Sequence, residues 1–586
     1  MDGQADTPGG FGILDVIVLG LYFLVLVATG VWFSMRKNRN TEDYFLGGRK
    51  MPVWAVAVSV LATSLSAATF IGGPQQAYAG NLTYLATNIG MILAALVIGL
   101  LFIPAFYRHR VATVYELIGK RCGPAGVVAT SGAFLLGRIM ASGARIYIVA
   151  IPAALIMFGA QPEEAIPDSH LLMAIGALVV VGIVYTLAGG VASVIWTDVV
   201  QMLVFMVAIG AAVFVLLSQI PVPASEIAST LREARVGEDG PSKLTVFDTR
   251  MDWGSSFTLW ASIFAFTLWG VAAYGTDQDM VQRMLTCKSA ARGSWSVISA
   301  NIIAVPVVGV FMGVGLLLYI FYDRPDIMGE NAPDYEVFDS ARIFLSFVLR
   351  EMPAGLTGLM LAGLFAAGLS SLNSGLNSMS STVVNDFYRR IARNRSEKHY
   401  LFVGRLGVVF WGLVLGGFAG LCIYWQRSSE EQLIDFALGV MAFAYAGMVA
   451  VFLTVICTKR GSSASVIAAL IVGIGATLVL QPWFANWALG SFASGLPPAF
   501  ADPWRMLANE VAFPWRFMIA AALSLIVCLL GKATDNPVSK PEPETNPKPA
   551  PQKKPRPRKR RSRKNELRSN RSDNEPTVDL VPPKRD

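Results

Sequence analysis

Apolar residues run through this chain in long blocks, with polar residues gathered in the gaps. Thirteen blocks approach or exceed the roughly 20 residues that a helix needs to cross a bilayer. They cover about 12–34, 53–79, 82–106, 126–158, 170–188, 191–221, 256–275, 294–322, 354–383, 401–425, 434–457, 464–482 and 514–531. The pattern predicts an all-α polytopic membrane protein with about 13 transmembrane helices. The first block is too long for a cleaved leader and is followed, not preceded, by Arg36, Lys37 and Arg39, so it is expected to remain as a span. Between blocks, Val337-Phe338 and Ala341–Val348 are apolar at helical spacing, which predicts a short surface helix.

Charge orients these blocks. Loops after odd-numbered spans carry 19 Lys+Arg and the other loops nine. The positive-inside rule puts the first set in the cytoplasm, with the N-terminus outside and the C-terminus cytoplasmic in a plasma (inner) membrane. Composition agrees: 54% of the 586 residues are hydrophobic, 15% are charged and the mean hydropathy is +0.52. The net charge of +8 comes from residues 532–586, with 16 Lys+Arg against eight Asp+Glu, whereas residues 1–531 balance. Residues 1–531 are expected to form the membrane body. Residues 532–586, with 11 prolines and the run Lys553–Lys564, are expected to be a disordered basic cytoplasmic tail. It is read as a solvated tail or as a segment held to anionic lipid, with nucleic acid the weakest partner. Five scattered cysteines without a CxxC, and only three histidines, indicate neither zinc nor a disulfide framework.

Polar residues inside a membrane tend to mark function, and four places stand out. The second span contains Thr63, Ser64, Ser66 and Thr69, then Gly72-Gly73-Pro74. Proline removes a donor, so a break is expected there, or else a kink repaired by the hydroxyls. The ninth span carries Ala367, Ser370, Ser371, Asn373, Ser374, Asn377, Ser378 and Ser381, largely on one face. Close helix packing is the alternative, but packing needs no Asn. Asp198 and Gln201 begin the sixth span, where a helix-start acid is the plain alternative. Gly270–Gly275 interrupts the seventh, which runs into Thr276-Asp277-Gln278-Asp279 and Arg283. Interrupted spans five apart point to an inverted-repeat secondary transporter, with spans 2–6 and 7–11 as the two halves. A hard cation such as Na⁺ takes oxygen ligands. Carbonyls around Ala62 and Leu65, with the Ser370 and Ser371 hydroxyls, would supply them.

The segments TEDYFLGGRKMPVWAVAVSVLATSLSAATFIGGP, VATVYELIGKRCG, YTLAGGVASVIWTDVVQ, YGTDQDMVQRML and AGLFAAGLSSLNSGLNSMSSTVVNDFYRR resemble the sodium/solute symporter family. Its members carry sugars, proline, sialic acid, vitamins, monocarboxylates and iodide. The resemblance covers about residues 10–480 and implies a ten-helix inverted repeat, five plus five, with one helix in front. It implies a main sodium site at Ala62, Leu65, Ala367, Ser370 and Ser371. A second site, present in some relatives, would use Asp198, Ser370, Asn373 and Ser374, with Asn373 standing where sialic acid carriers have Ser. Solute would lie against Ser64, Ser66, Ala68, Thr69, Tyr84, Asn88, Arg145 and Tyr274. Sugar carriers have Glu-Gln where this chain has Ala68-Thr69.

Arg138 and Arg145 lie in the otherwise apolar fourth span. Either would suit a carboxylate, or form an internal salt bridge, or snorkel. The expectation is a Na⁺-coupled symporter, not an enzyme, for a small organic anion such as sialic acid or a monocarboxylate. A sodium/sugar symporter and a non-transporting sensor are the alternatives. A nucleotide-driven pump is excluded by the lack of GxxxxGK[ST] and Asp-Lys-Thr-Gly motifs.

Overall fold

The structure is a computed structural model that describes residues 12–34, 41–158, 165–238, 240–334, 340–429, 433–491 and 496–532. The tail beyond 532, with its basic run, and Val337-Phe338 lie outside the described residues. Each of the thirteen blocks is helical. Seven are long and apolar enough to cross a membrane alone, three pass the same test jointly with a short bent partner, and three are shorter apolar helices. In order, the spans are Ile13–Ser34, Val53–Ser64 with Ala67–Ala79, Thr83–Arg108, Pro124–Phe158, Asp168–Gly189, Val191–Gln219, Leu259–Gly275, Ala290–Asp323, Leu356–Thr382, Glu397–Ser429, Leu433–Cys457, Ser463–Val479 and Phe513–Leu529.

The second span is broken, but not at its proline. Leu65 (ψ 94°) and Ser66 (ψ 176°) are extended, and the helix resumes at Ala67 and passes straight through Pro74. Inside a bundle, neighbouring helices and hydroxyls make good what a proline removes, so Pro74 is tolerated. Before the break, Thr63 donates to the Ser59 carbonyl (2.9 Å) and Ser64 to the Leu61 carbonyl (2.8 Å). Such side-chain bonds compete with the helix ladder. Likewise Gly270 does not interrupt the seventh span. A Cβ there would lie 2.6 Å from that of Ala94, so the glycine lets the third span approach. The break comes later, at Thr276–Asp277. Asp277 is extended and caps Gln278–Met284 through the Asp279 amide (2.9 Å), and the chain bends by 68°.

The ninth span is the centre of the bundle, buried except for Leu356, Leu359 and Gly368. Its small residues permit this closeness: a Cβ on Gly363 would come within 2.8 Å of the Ala208 Cβ. The first span packs along it, with Phe23 against Phe365 at 6.1 Å. Asp15 accepts from the amides of Gly355 (2.8 Å) and Gly358 (2.6 Å) at the ninth span's N-terminus, where free donors favour an anion. The helix expected on the surface is instead buried: Ile343–Arg350 hides Ile343 through Val348, with Phe344 against Phe70 at 5.5 Å. Only Ser346 in that run is polar, so it offers water no polar face.

Close approach makes some glycines irreplaceable. A Cβ on Gly90 would lie 2.1 Å from the Ser262 carbonyl oxygen, whereas one on Gly132 would meet nothing within 4 Å. Gly90→Ala should lower stability by about 1–3 kcal/mol, and Gly132→Ala should leave it unchanged or slightly raised. Thermal unfolding in detergent would compare them. Equal midpoints would contradict this packing.

Candidate functional site

The break at Leu65–Ser66 separates two cavities. The smaller, about 10 Å³, is lined by Ala62, Leu65, Gln201, Phe205, Ala366, Ala367 and Ser370 among others. That is room for about one water-sized sphere. A helix end leaves its last carbonyls without intrahelical partners, and Ala62 lies in that last turn. The Ser371 hydroxyl and both amide atoms of Gln201 are buried without a hydrogen-bond partner. Four of the five residues expected at the main sodium site therefore line one small cavity, and the fifth is an orphaned hydroxyl beside Ser370. These oxygens suit a small hard cation. Gln201 was noted only as intramembrane polarity; its place three residues after Asp198 was the signal.

A chain of buried charges runs past this cavity. Asp198 accepts hydrogen bonds from Ser59 and from Ser370 (2.6 Å) and lies 3.4 Å from the Arg283 guanidinium. Arg283 also donates to Ser59 (2.9 Å) and to the Asp279 carboxylate (2.7 Å). Asp279 pairs with Arg138 and accepts from Ser374 (3.1 Å). Arg138 reaches Asp277 (3.4 Å), which accepts from the Tyr445 hydroxyl (2.8 Å). Spans two, four, six, seven, nine and eleven are thus tied together. Buried charges require such pairing.

The larger cavity, about 100 Å³, lies on the other side of the break. Ser64, Ser66, Thr69, Tyr84, Arg145 and Tyr274, all expected, line it. The Ala68 side chain is outside what the structure describes. Asn88 is not in the lining; its amide donates to the Leu85 carbonyl at 3.0 Å. Trp269, Tyr445, Met441, Met91, Met280 and Ala273 line the cavity and were not foreseen, nor was Arg138 placed there. Arg145 is buried, and its Nε and one Nη have no partner. Its remaining nitrogen reaches only the Met441 sulfur, at 3.7 Å. Among the described residues, no carboxylate lies within ion-pair distance of it.

The four residues of the expected second site are not gathered. Asp198 and Ser370 meet, but Asn373 turns to the fifth span and accepts from Thr186 (3.1 Å), while Ser374 faces Asp279. A larger cavity, about 920 Å³, is lined by residues of the loops around the second, fourth, eighth and tenth spans, including Arg49, Tyr107 and Glu397. It touches none of these residues.

The Sodium:solute symporter family pattern matches residues 44–473. The chain belongs to the sodium:solute symporter family. Among its relatives, the sodium/sialic acid symporter SiaT of Proteus mirabilis (strain HI4320) is 30% identical over 482 residues, covering 80% of this chain and 90% of the relative. The sodium/sialic acid symporter NanT of Aliivibrio fischeri (strain ATCC 700601 / ES114) is 29% identical over 80% of this chain and 88% of the relative. The human sodium/glucose cotransporter 4 is 30% identical over 81% of this chain and 70% of the relative. The fold matches that of a Na⁺-coupled sialic acid symporter in its substrate-bound outward-open state. The TM-score is 0.71, at 24% identity, covering 89% of this chain and all of the other. A multi-pass membrane symporter fold is thereby established for this chain.

Removing one member of a buried pair costs about 3–5 kcal/mol. Asp279→Asn, which weakens the pairing of both Arg138 and Arg283, should approach that loss. Ser371→Ala, which removes a hydroxyl with no partner, should leave stability in potassium salts nearly unchanged. Thermal unfolding in KCl checks both, and a large loss in Ser371→Ala would mean that its hydroxyl has a structural partner.

Proposed function

We propose that this chain couples inward Na⁺ movement to uptake of a small organic anion, with sialic acid the first candidate and small monocarboxylates next. Arg145 carries the reading. A buried guanidinium beside a cavity, without a carboxylate of the protein, is costly. A bound carboxylate would complete it through two parallel hydrogen bonds. The similarity to two named sialic acid symporters supports the same solute. A sodium/sugar symporter is the second reading, favoured by the similarity to sodium/glucose cotransporter 4. A neutral sugar would leave Arg145 without a counter-charge.

Sodium would sit among Ala62, Leu65, Ala367, Ser370 and Ser371, with Gln201 adding an oxygen. Its ligands come from the broken second span and the ninth. Binding therefore draws these helices together and orders Ser64 and Ser66 at the solute cavity. Sodium and solute affinities are then reciprocally coupled, typically by about 1–3 kcal/mol. Spans 2–6 and 7–11 act as inverted halves that rock to expose both ligands to the cytoplasm. The chain works as a transporter rather than an enzyme. It lies in the plasma (inner) membrane with its N-terminus outside and its C-terminus cytoplasmic.

Thermal unfolding in NaCl and in KCl at equal ionic strength tests the ion. A ligand that binds only the folded state raises the midpoint as RT ln(1 + [L]/Kd), so the midpoint should rise in Na⁺ and the rise should vanish in Ser371→Ala. An equal rise in the variant would remove Ser371 from the site. For the solute, sodium-driven uptake of radiolabelled sialic acid into proteoliposomes should be seen. Arg145→Gln should lose about 2–5 kcal/mol of solute affinity. Sialic acid affinity unaltered by that change would refute the anion assignment.

A further inference from the structure

Two short helices, Pro482–Gly490 and Pro498–Asn509, join spans twelve and thirteen. Two residues separate the first from Val479, where span twelve ends, and three separate the second from Phe513, where span thirteen begins. Three residues reach about 11 Å at most, so both helices start from the membrane surface. The chain bends by 75° on leaving span twelve, which turns the first helix towards the membrane plane. Side chains then pin the pair at the level where the spans end. Trp504 Nε1 donates to the Val479 carbonyl (2.8 Å), and Arg516 to the carbonyls of Leu480 (2.9 Å) and Ala508 (3.2 Å). The side-chain amides of Asn486 and Asn509 exchange hydrogen bonds (3.1 and 3.2 Å).

The exposed surface of this pair is apolar. Trp483 (46% exposed) and Trp487 (56%) share one face of the first helix, while Ala485, Ala488 and Leu489 are buried. On the second helix, Phe500 (69% exposed) and Pro503 lie on one side, with Asp502 and Arg505 on the other. These two residues are the only charges in the two helices, and they cancel. The aromatic row continues from span ten: Trp425 to Trp483 at 6.5 Å, Trp483 to Phe484 at 5.8 Å and Phe484 to Trp487 at 5.7 Å. Span ten exposes Leu413, Leu421 and Tyr424, and span twelve exposes Ile471 and Val479. That is the apolar surface a span shows to lipid, and the patch is an extension of it. A Trp ring, apolar with one N–H, suits the boundary between acyl chains and headgroups.

We propose that the two helices form an interfacial anchor, with Trp483, Trp487 and Phe500 set at the headgroup–acyl boundary of the bilayer and Asp502 and Arg505 turned to water. The partner is a lipid surface, because the patch continues the lipid-facing surface of spans ten and twelve and is tied to the end of span twelve. Apolar burial holds it there, since its charges cancel and give no pull towards anionic headgroups. The proposal is independent of the ion and of the solute.

The test uses full-length protein in phosphatidylcholine nanodiscs. Cys457→Ser removes the exposed thiol and leaves four buried ones, and one added cysteine carries an environment-sensitive fluorophore. The label at Phe500→Cys should lose emission to lipid bearing a nitroxide near the headgroup end of its acyl chain, and keep it in iodide. The label at Asp502→Cys should do the reverse. Trp487→Cys, also at an exposed position, should repeat the Phe500→Cys result, so the outcome does not hang on one variant folding. Labels at 487 and 500 quenched by iodide and not by nitroxide lipid would place the helices in water and overturn the proposal. Shielding of both labels from both quenchers would overturn it too, because a partner protein or a second copy would then cover the patch.

Discussion

Everything about the site depends on two extended residues in the middle of a membrane span. An extended backbone sends successive side chains to opposite sides. Ser64 and Ser66 therefore face the larger cavity, while Leu65 between them faces the smaller. A continuous helix would set these three about 100° apart and could not divide them so sharply. The break also releases carbonyls at a depth where no water is at hand, which is tolerable only beside a cavity or a protein wall. The sixth and ninth spans supply that wall, with Gln201, Ala367 and Ser370. Ion cavity and solute cavity thus share one hinge, and a movement of either wall is felt by both.

The charged ladder imposes the second constraint. A buried ion pair contributes little net stability compared with apolar packing, yet breaking one is expensive. Its effect is to hold spans in register: Asp198 on the sixth, Asp277, Asp279 and Arg283 after the seventh, Ser370 and Ser374 on the ninth, Arg138 on the fourth and Tyr445 on the eleventh. The ladder runs from the small cavity to the large one, because Ser370 lines the first and Arg138 the second. Arg145 stands outside it.

Much of this was legible in the chain because a bilayer penalises polarity. Hydroxyls and charges inside apolar blocks had to have partners, so Ser64, Ser66, Thr69, Ser370 and Ser371 stood out. Trp269, Met91 and Met441 did not, since an apolar side chain in a span looks the same whether it faces lipid, a neighbour or a cavity. The break was misplaced for a related reason. Pro74 and its glycines carry the strongest local signal against a helix, but the surrounding spans override it. Leu65 and Ser66 carry almost none, and the packing around them decides. The same override buried Ile343–Arg350, whose apolar run names no face.

The sequence by itself determined the helical membrane body, its thirteen apolar helical blocks and the oxygen-rich patches that suit sodium, because hydrophobic length and intramembrane polarity are local quantities. The tertiary structure alone decided which charges meet. Arg138 and Arg145 lie two turns apart on the same face of one helix and are equivalent as sequence. One falls level with Asp277 and Asp279 and is neutralised. The other lines the same cavity with no described carboxylate within ion-pair distance, because partners for a buried charge come from other spans, whose height and rotation no single stretch of chain can specify.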